Sequence, residues 1–244
     1  MRNPAQCRAA IRNDEDKEEE KIIMQAKRYE VTLTGVTPLL MHADNITFGE
    51  RTKAWQKDPA NKKNSTAGDD RTPAWLWLGY CYKADGLLVV DADNLMAMLR
   101  DAGKKCPAAK GKGSLKAATQ SGIVVDQIGW PVVVGGHTVD VTKLLAKLDN
   151  EEDFEVHEKI AADNGFELFV KRARIGAAKH VRVRPRFDNW SISGTITVLD
   201  STLTKSVLET LFEQAGRFVG LCDWRPGSPA SGRYGMFTSQ LTAI

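Results

Sequence analysis

The sequence has 244 residues, of which 42% are hydrophobic and 27% are charged, and its 34 Lys and Arg against 31 Asp and Glu residues give a formal net charge of +3. This composition is typical of a globular protein with one large or two small domains, and it excludes collagen-like, mucin-like and disulfide-scaffold proteins. The longest apolar stretch, residues 123–134, is broken by Asp126 and Gly129 and is shorter than the roughly 18 residues that a membrane-spanning helix needs.

Residues 1–26 combine both signs of charge with little aromatic content, which predicts a disordered or helical tail. The acids between Asp14 and Glu20 leave no apolar segment of the kind that a secretory signal peptide contains, so we expect a cytoplasmic protein. The cysteines lack the spacing of a zinc site, so we expect reduced thiols and no metal or other cofactor. They are Cys7, Cys81, Cys106 and Cys222.

Alternating apolar and polar side chains predict a half-buried first strand over residues 29–33. Its predicted buried side carries Tyr29, Val31 and Leu33.

The polar residues 45–72 predict a long mobile loop. Two apolar runs, 75–82 and 87–90, then flank an Asp85-Gly86 pair, and an Asp-Gly pair in that position predicts a β-hairpin.

A helix is predicted next, because Asp91 or Asp93 can cap its start and Gly103 can end it. Its predicted buried face carries Leu95, Met96, Leu99 and Ala102. Residues 100–116 are basic and interrupted by glycines, which predicts a flexible lysine loop. The lysines of this loop are Lys104, Lys105, Lys110, Lys112 and Lys116.

Charge is segregated in the second half of the chain. Residues 149–167 carry eight acids opposed only by Lys159, whereas residues 171–186 are basic and contain no acid. The basic side chains of the second segment are Lys171, Arg172, Arg174, Lys179, Arg182, Arg184 and Arg186, with His180 among them. The small net charge is therefore a near-cancellation between unlike segments.

Residues 179–199 alternate with a period of two, which separates two chemically different faces. One face of the first predicted strand carries His180, Arg182, Arg184 and Arg186, and the other carries Val181, Val183, Pro185 and Phe187. Asp188-Asn189 predicts a turn, and a second alternating strand begins at Trp190. We therefore predict a β-hairpin formed by these two strands.

A helix with one apolar face and a last strand over residues 234–241 complete the predicted elements. The apolar face carries Leu208, Leu211, Phe212 and Ala215. The resulting order of strand, helix, strand, strand, helix, strand predicts an α+β protein with a ferredoxin-like, RRM-like core. We expect one domain over residues 27–244, with insertions at about residues 42–74 and 104–170.

Catalytic motifs are not found. The histidines His42, His137, His157 and His180 lack the context of a triad or a metalloprotease, and we interpret them as surface or packing residues. Residues 111–114 do not satisfy the phosphate-loop pattern, because the lysine precedes the second glycine. Asp91 and Asp93 are better explained as helix caps than as paired catalytic carboxylates. We expect no enzymatic activity.

Binding of a nucleic acid fits the residues better. Arginines on one face of a strand recur at about 6.6 Å, close to the phosphate spacing of an extended single strand. Trp224, Arg225 and Tyr234 lie in a glycine-rich segment and are suited to stack on unpaired bases. Arg217 and Arg233 add cations to the same region, whereas the apolar alternation places Trp190 in the core. We therefore predict that these C-terminal residues bind the nucleic acid together with the lysines of the lysine loop and the basic side chains of residues 171–186, His180 included.

The chain ends in two distinctive segments, residues 216–226 (GRFVGLCDWRP) and 232–237 (GRYGMF). Earlier segments of similar character are residues 35–42 (GVTPLLMH), 102–105 (AGKK) and 181–187 (VRVRPRF) with Trp190. Together, and most specifically in the ending, they resemble an uncharacterised family of bacteriophage and prophage proteins. The glycine-rich ending and the helix followed by a lysine loop are also similar to CRISPR-associated RAMP backbone subunits. Those subunits line single-stranded guide RNA with a modified RNA-recognition fold. Met236 departs from the RNP1 pattern, where an aromatic residue is expected.

These observations predict a non-catalytic, single-stranded nucleic-acid-binding protein of phage or mobile-element origin with a RAMP-like core. Copies would assemble side by side along DNA or RNA, with the acidic segment of one copy against the basic patch of the next. One alternative is a virion component or counter-defence factor whose charged segments contact only proteins. A metal-dependent nuclease is a third possibility, disfavoured because the sequence lacks a ligand cluster.

Overall fold

A computed structural model describes residues 26–66, 68–108, 113–175 and 178–244. The predicted tail, except for Ala26, and both Lys110 and Lys112 lie outside the described residues. The protein is α+β with antiparallel sheets, as predicted.

The described part of the chain forms strands, α-helices and shorter helical turns. The strands are β1 (Lys27–Gly35), β2 (Leu39–Leu40), β3 (Lys83–Ala84), β4 (Leu87–Asp91), β5 (Ile123–Val125), β6 (Gly129–Val134), β7 (His137–Thr138), β8 (Glu167–Ile175), β9 (Ala178–Phe187), β10 (Trp190–Val198) and β11 (Phe237–Ala243). The helices are α1 (Ile46–Lys57), α2 (Ala92–Lys105), α3 (Lys116–Ser121), α4 (Val141–Leu148), α5 (Phe154–Asp163) and α6 (Lys205–Gln214). Short 3-10 helices span Pro59–Asn61 and Ala74–Tyr80, and a π-helical turn spans Ala215–Val219. Among the described helices, none combines the length and the apolar character needed to cross a lipid bilayer.

The larger sheet has the strand order β11-β1-β10-β6-β4-β3. The first half of β10 pairs with β6, and its second half pairs with β5. The predicted alternation in β1 is confirmed, because Tyr29, Val31 and Leu33 are buried. β1 pairs antiparallel with both β10 and β11 and so lies inside the sheet.

Helices α2 and α6 pack on each other and against strands of this sheet. Asp91 caps α2, as predicted, by accepting a 2.9 Å hydrogen bond from the backbone N–H of Asn94. The predicted apolar faces are confirmed, because the following side chains are buried: Leu95, Leu99 and Ala102 in α2, and Leu208, Leu211 and Phe212 in α6. Met96 packs partly buried against the core. Helix α2 continues to Lys105, two residues beyond the predicted end at Gly103.

Between β1 and α2, the extent of the predicted first hairpin strand and the predicted loop over residues 45–72 need correction. The Asp85-Gly86 turn is confirmed, with φ angles of 50° and 77°, but the apolar run before it forms the 3-10 helix Ala74–Tyr80 and leaves β3 only two residues. The predicted loop over residues 45–72 contains α1, which Asn45 caps through its side chain. No residue of α1 is buried, so its sequence carries no clear apolar periodicity from which to predict a helix.

The predicted hairpin of residues 179–199 is wrong. Strand β9 forms a smaller sheet of order β2-β9-β8, whereas β10 belongs to the larger sheet. The true partner of β9 is β8, with a register that runs from Glu167 opposite Arg186 to Ile175 opposite Ala178. The chain therefore passes from one sheet to the other at Asp188-Asn189. Both strands do alternate as predicted, but their pairing depends on distant segments.

The core is continuous between the two sheets. His157 of α5 is fully buried within it, where its Nδ1 accepts a 3.0 Å hydrogen bond from Nε1 of Trp77. Its Nε2 lies 2.9 Å from the carbonyl oxygen of Glu151 and donates to it when Nδ1 is the acceptor. The interpretation of His157 as a packing residue is confirmed.

Burial lowers the pKa of His157 from its usual 6.5, so the folded protein keeps this imidazole neutral. The unfolded chain takes up a proton near pH 6.5, and the free energy of unfolding therefore falls as pH drops below that value. One proton contributes at most about 1.4 kcal/mol per pH unit. Urea denaturation between about pH 7.5 and 5.5 checks this prediction. His157→Gln should be less stable at neutral pH but should lose less stability on acidification, and equal slopes would contradict the prediction.

The described cysteines are free and buried. They are Cys81, Cys106 and Cys222. Burial raises the pKa of Cys81 to about 12 and also raises the pKa of the other two thiols. The prediction of structural thiols is confirmed for these three, and Cys7 lies outside the described residues.

Candidate nucleic-acid interface

The β8–β9 hairpin carries the basic face on which the function was predicted. Its register places Phe169 opposite Arg184 and Lys171 opposite Arg182, so these side chains share one face of the hairpin. We call this the arginine face, and it comprises Phe169, Lys171, Arg182, Arg184 and Arg186. By the same register, Arg172, Arg174 and Lys179 belong to the opposite face.

Asp70 lies against the arginine face and is itself buried. It belongs to a segment that joins the edge of β9, where the backbone N–H of Asp70 donates to the carbonyl of Val181. One carboxylate oxygen accepts from Nη1 of Arg182 at 2.8 Å, and the other accepts from Nη1 of Arg184 at 3.1 Å. Asp70 therefore neutralises charge on two of the predicted phosphate-binding residues.

Arg184 is the most enclosed arginine of the face, with a side chain only 10% exposed. Its Nε donates to Oδ2 of Asp223 at 3.2 Å, and its guanidinium lies 4.5 Å from the ring centroid of Tyr80. With Asp70 on its other side, this group is surrounded by protein partners. The prediction that Arg184 lies on an open face is therefore wrong, because carboxylates from two distant loops cover it.

Arg186 is also paired within the chain. It contacts Glu167 at 2.7 Å and Asp188 at 2.8 Å, and the hydrogen bond to Asp188 raises the pKa of the guanidinium. The three arginines of β9 are thus each matched by at least one carboxylate. An open row of arginines with no acid nearby, as the sequence predicted, does not form.

Aromatic side chains of the C-terminal loop, residues 220–236, lie beside Phe169 and Lys171 of the arginine face. Trp224 stacks on Tyr234 with ring centroids 6.3 Å apart and planes inclined by 24°, and Tyr234 lies 6.1 Å from Phe169. The ammonium of Lys171 lies 4.1 Å from the centroid of the Trp224 ring. The structure therefore brings together two predicted stacking residues and one predicted cation.

The backbone of this loop is held in an unusual conformation. Trp224 has a φ of +49°, a value that non-glycine residues seldom adopt. A Cβ atom on Gly232 would lie 2.0 Å from the carbonyl oxygen of Trp224, so glycine is required there for the close approach. Residues in sparsely populated backbone conformations cluster at functional sites, which supports Trp224 as a residue of the candidate site.

Arg225 links the loop to the last turn of α2. Its Nη1 donates to the carbonyl of Cys222 at 3.1 Å, and its Nη2 lies 4.0 Å from a carboxylate oxygen of Asp101. Asp101 also pairs with Lys104 at 2.6 Å. The start of the predicted lysine loop is therefore linked to the C-terminal loop through Asp101 and Arg225.

The remaining predicted binding residues are more dispersed. Lys105 and Lys116 are exposed near the two ends of the predicted lysine loop, which a bridge between Pro107 and Ser114 closes. Arg233 is exposed beside Tyr234. Arg217 pairs with Glu213 and lines a different cavity, between α6 and β11, so it does not join the arginine face.

His42 is a site residue that the sequence did not predict. Its Nε2 lies 3.3 Å from Nη2 of Arg184, and its Nδ1 lies 3.8 Å from Oδ2 of Asp223. Burial and the positive charge of Arg184 lower the pKa of His42, so the neutral form is favoured. Burial similarly raises the pKa of Tyr80 to about 12, which keeps its hydroxyl protonated. The sequence signal for both His42 and Asp223 was their place in the quoted family segments.

These groups enclose a cavity of about 220 Å³ on the arginine face. Its lining is His42, Phe169, Lys171, Ala173, Arg182, Arg184, Asp223 and Trp224. It therefore combines an aromatic wall, cations and one carboxylate. Within the described part of the chain, no group of three or more His, Cys, Asp or Glu side chains is placed to hold a metal ion.

Comparison with known proteins adds no assignment: no family model matches the chain, and no curated protein sequence matches it.

Proposed function

We propose that this chain is a non-catalytic, single-stranded nucleic-acid-binding protein of phage or mobile-element origin that acts in the cytoplasm. The observation that carries the proposal is the cluster of Lys171, Trp224 and Tyr234 on the arginine face. Proteins that bind single strands combine aromatic rings, on which bases stack, with cations that follow the phosphates. Here the two components lie within a few ångströms of each other.

A ferredoxin-like, RAMP-type core is part of this proposal. The strand order β11-β1-β10-β5 supports it, with β5 in the position that the sequence predicted for residues 179–187: β1 and β10 are central, and β11 and β5 flank them. Helix α2 connects the first of these strands to the second, and α6 connects the third to the fourth. This is the connection pattern of a split βαβ domain.

The positions of the cations indicate a path for the bound nucleic-acid strand. It begins at Lys104 and Lys105 at the end of α2, passes Arg225, and crosses Trp224 to reach Lys171. Arg182 extends this path along β9, because among the described residues it pairs with one carboxylate, that of Asp70, whereas Arg184 and Arg186 each pair with two. In this arrangement Arg184 and Arg186 shape the surface instead of contacting phosphates.

Removal of one phosphate contact tests the path. Lys171→Ala should weaken binding to a labelled single strand of about 30 nucleotides and reduce the slope of log affinity against log salt by about 0.7. Fluorescence anisotropy over a range of salt concentrations, beginning near about 50 mM, measures both quantities.

Lys147→Ala is the matched control, since Lys147 is exposed on α4 and lies outside the arginine face. It should leave the affinity and the slope unchanged. Wild-type protein that fails to bind at low salt, or that binds with no salt dependence, contradicts the proposed function.

One observation favours an alternative function. The pairing of Arg182, Arg184 and Arg186 with carboxylates reduces the charge available for phosphates and would suit a surface that contacts another protein. A virion component or counter-defence factor would then form a monodisperse complex with a protein partner and show no affinity for nucleic acid. The anisotropy measurement separates the two functions.

Assembly along the strand is a further part of the proposal. Asp149 pairs with Arg51, and Glu152 accepts from Trp55 and Trp75, so part of the acidic segment is occupied within its own chain. Other acids of that segment, Glu155, Glu158 and Asp163, are exposed. They are available to meet the basic surface of a neighbouring copy. Light scattering of complexes on strands of increasing length should show a stepwise increase in bound copies.

A further inference from the structure

A second cavity, of about 400 Å³, adjoins the arginine face. It lies between α1 and the backbone of Gly68–Asp70, and its floor is formed by Phe48, Leu76 and Tyr80. His42 and Arg182 line this cavity as well as the smaller one beside Trp224. The two cavities are therefore neighbours that share a wall, and the volume of the larger falls in the range of small-ligand pockets.

The wall of this cavity holds a polar atom without a partner. Among the described residues, Nδ1 of His180 is buried and has no hydrogen-bond partner. Gly68, at a φ of +77°, permits this arrangement, because a Cβ atom there would lie 2.2 Å from that nitrogen. A buried polar atom that lacks a partner is costly, and a rotation of the imidazole that presents this nitrogen to the cavity lets a bound ligand supply the missing hydrogen bond.

The charge of the lining disfavours a phosphate in this cavity. Three carboxylates, those of Asp44, Asp69 and Asp70, line it against the cations of Lys53 and Arg182. Neutral hydrogen-bonding side chains complete the rim, namely Asn45, Thr52 and Gln56. A planar, uncharged group with several donors and acceptors fits this lining, with its face on the apolar floor and its edge towards the polar side chains.

We infer that this cavity binds one unstacked nucleobase of the single strand that the arginine face holds. The inference rests on the proposed function, because the phosphates on either side of that base must lie on Lys171 and Arg182. Tyr80 and Phe48 provide the apolar contact, and His180 turns its ring so that Nδ1 exchanges a hydrogen bond with the edge of the base. The base is a neutral ligand, so its contribution to affinity is independent of salt.

Gly49 offers a way to fill the cavity without disturbing its walls. It lines the cavity on the exposed side of α1, and no atom lies within 4 Å of the position of an added Cβ. Gly49→Phe should occupy the space of the base. Gly49→Ala is the matched control, since it adds one methyl group and should raise the melting temperature slightly by favouring the helix.

The experiment compares two labelled strands of equal length, one with normal bases and one that is abasic throughout. Gly49→Phe should weaken binding of the normal strand at least about fivefold relative to Gly49→Ala, with an unchanged salt slope. It should leave binding of the abasic strand unaltered, since that strand carries the same charge and no base to displace.

Three results would overturn the inference. Equal affinity of both Gly49 variants for the normal strand means that the cavity stays empty, and the proposed function survives. Equal weakening on both strands means that the phenylalanine acts through the fold or the phosphate path. Wild-type protein that binds neither strand removes the proposed function, and the base site with it. Thermal melting of each variant establishes that it is folded.

Discussion

Asp70→Ala should lower the free energy of unfolding by about 3 kcal/mol, the largest effect on stability that we predict for a side chain in contact with the arginine face. The Asp70 side chain is 5% exposed, and it pairs with an Arg184 side chain that is 10% exposed. Its removal also leaves the backbone N–H of Val183 without its 3.3 Å acceptor. A buried cation that loses its counterion retains the cost of desolvation, which is why one-sided removal is so destabilising.

Asp69→Ala is the control for that substitution. Asp69 precedes Asp70 in the chain, but its carboxylate pairs with Arg71, whose side chain is 48% exposed. The Asp69 side chain is itself 10% exposed, but its removal leaves a cation that water can solvate, so the loss should cost only about 1 kcal/mol. Urea denaturation at neutral pH measures both variants. Equal losses for the two would mean that Asp70 does not act through buried Arg184.

Trp224→Ala should weaken binding of a single strand roughly fivefold to a hundredfold, the loss expected when one stacked base loses its aromatic partner. The slope of log affinity against log salt should stay the same, because the substitution removes no charge. This separates it from Lys171→Ala, which should change the slope. Trp224→Phe should retain most of the affinity, since a smaller ring still stacks against Tyr234.

Phe218→Ala is the control for loss of an exposed aromatic ring. Phe218 is 51% exposed and lies in the π-helical turn after α6, outside the aromatic cluster. Its removal should leave strand affinity unchanged. The proposed role of Trp224 fails if Trp224→Ala binds like wild type, or if Phe218→Ala weakens binding to the same extent.

The effects on stability and the effects on binding are expected from different side chains of the candidate interface. Stability depends on buried charges that are matched inside the protein, whereas binding of the nucleic acid is assigned to side chains that remain accessible to solvent. Arg184 belongs to the first group, and Lys171 and Trp224 belong to the second. Substitutions in the second group can therefore be tested in folded protein.

Local pattern predicted most of the individual elements. The alternation in β1 and the apolar faces of α2 and α6 are expressed by residues a few positions apart, so a short window of sequence contains the whole signal. The Asp85-Gly86 turn and the Asp91 cap are equally local. Helix α1 was not predicted, because a helix with no buried residue has no periodic pattern of apolar residues in its sequence.

Pairing between distant segments could not be predicted in this way. Nothing in residues 178–198 indicates that β9 should pair with β8 and leave β10 to the larger sheet, because a strand's partner is chosen by packing across the whole core. The sequence likewise showed Arg182, Arg184 and Arg186 without an acid nearby, although Asp70 and Asp223 meet them in space.

The charge pattern separates what the sequence determined from what the tertiary structure decided. The sequence by itself determined that a basic strand with a two-residue period exists and that aromatic residues occupy a glycine-rich ending. Only the tertiary structure decided which of those cations remain open, because Coulomb interactions depend on separation in space and on exposure to water. The same folding placed Lys171 beside Trp224, the contact on which the proposed function depends. It also placed His42 in the lining of both cavities, the arrangement on which the inferred base site depends.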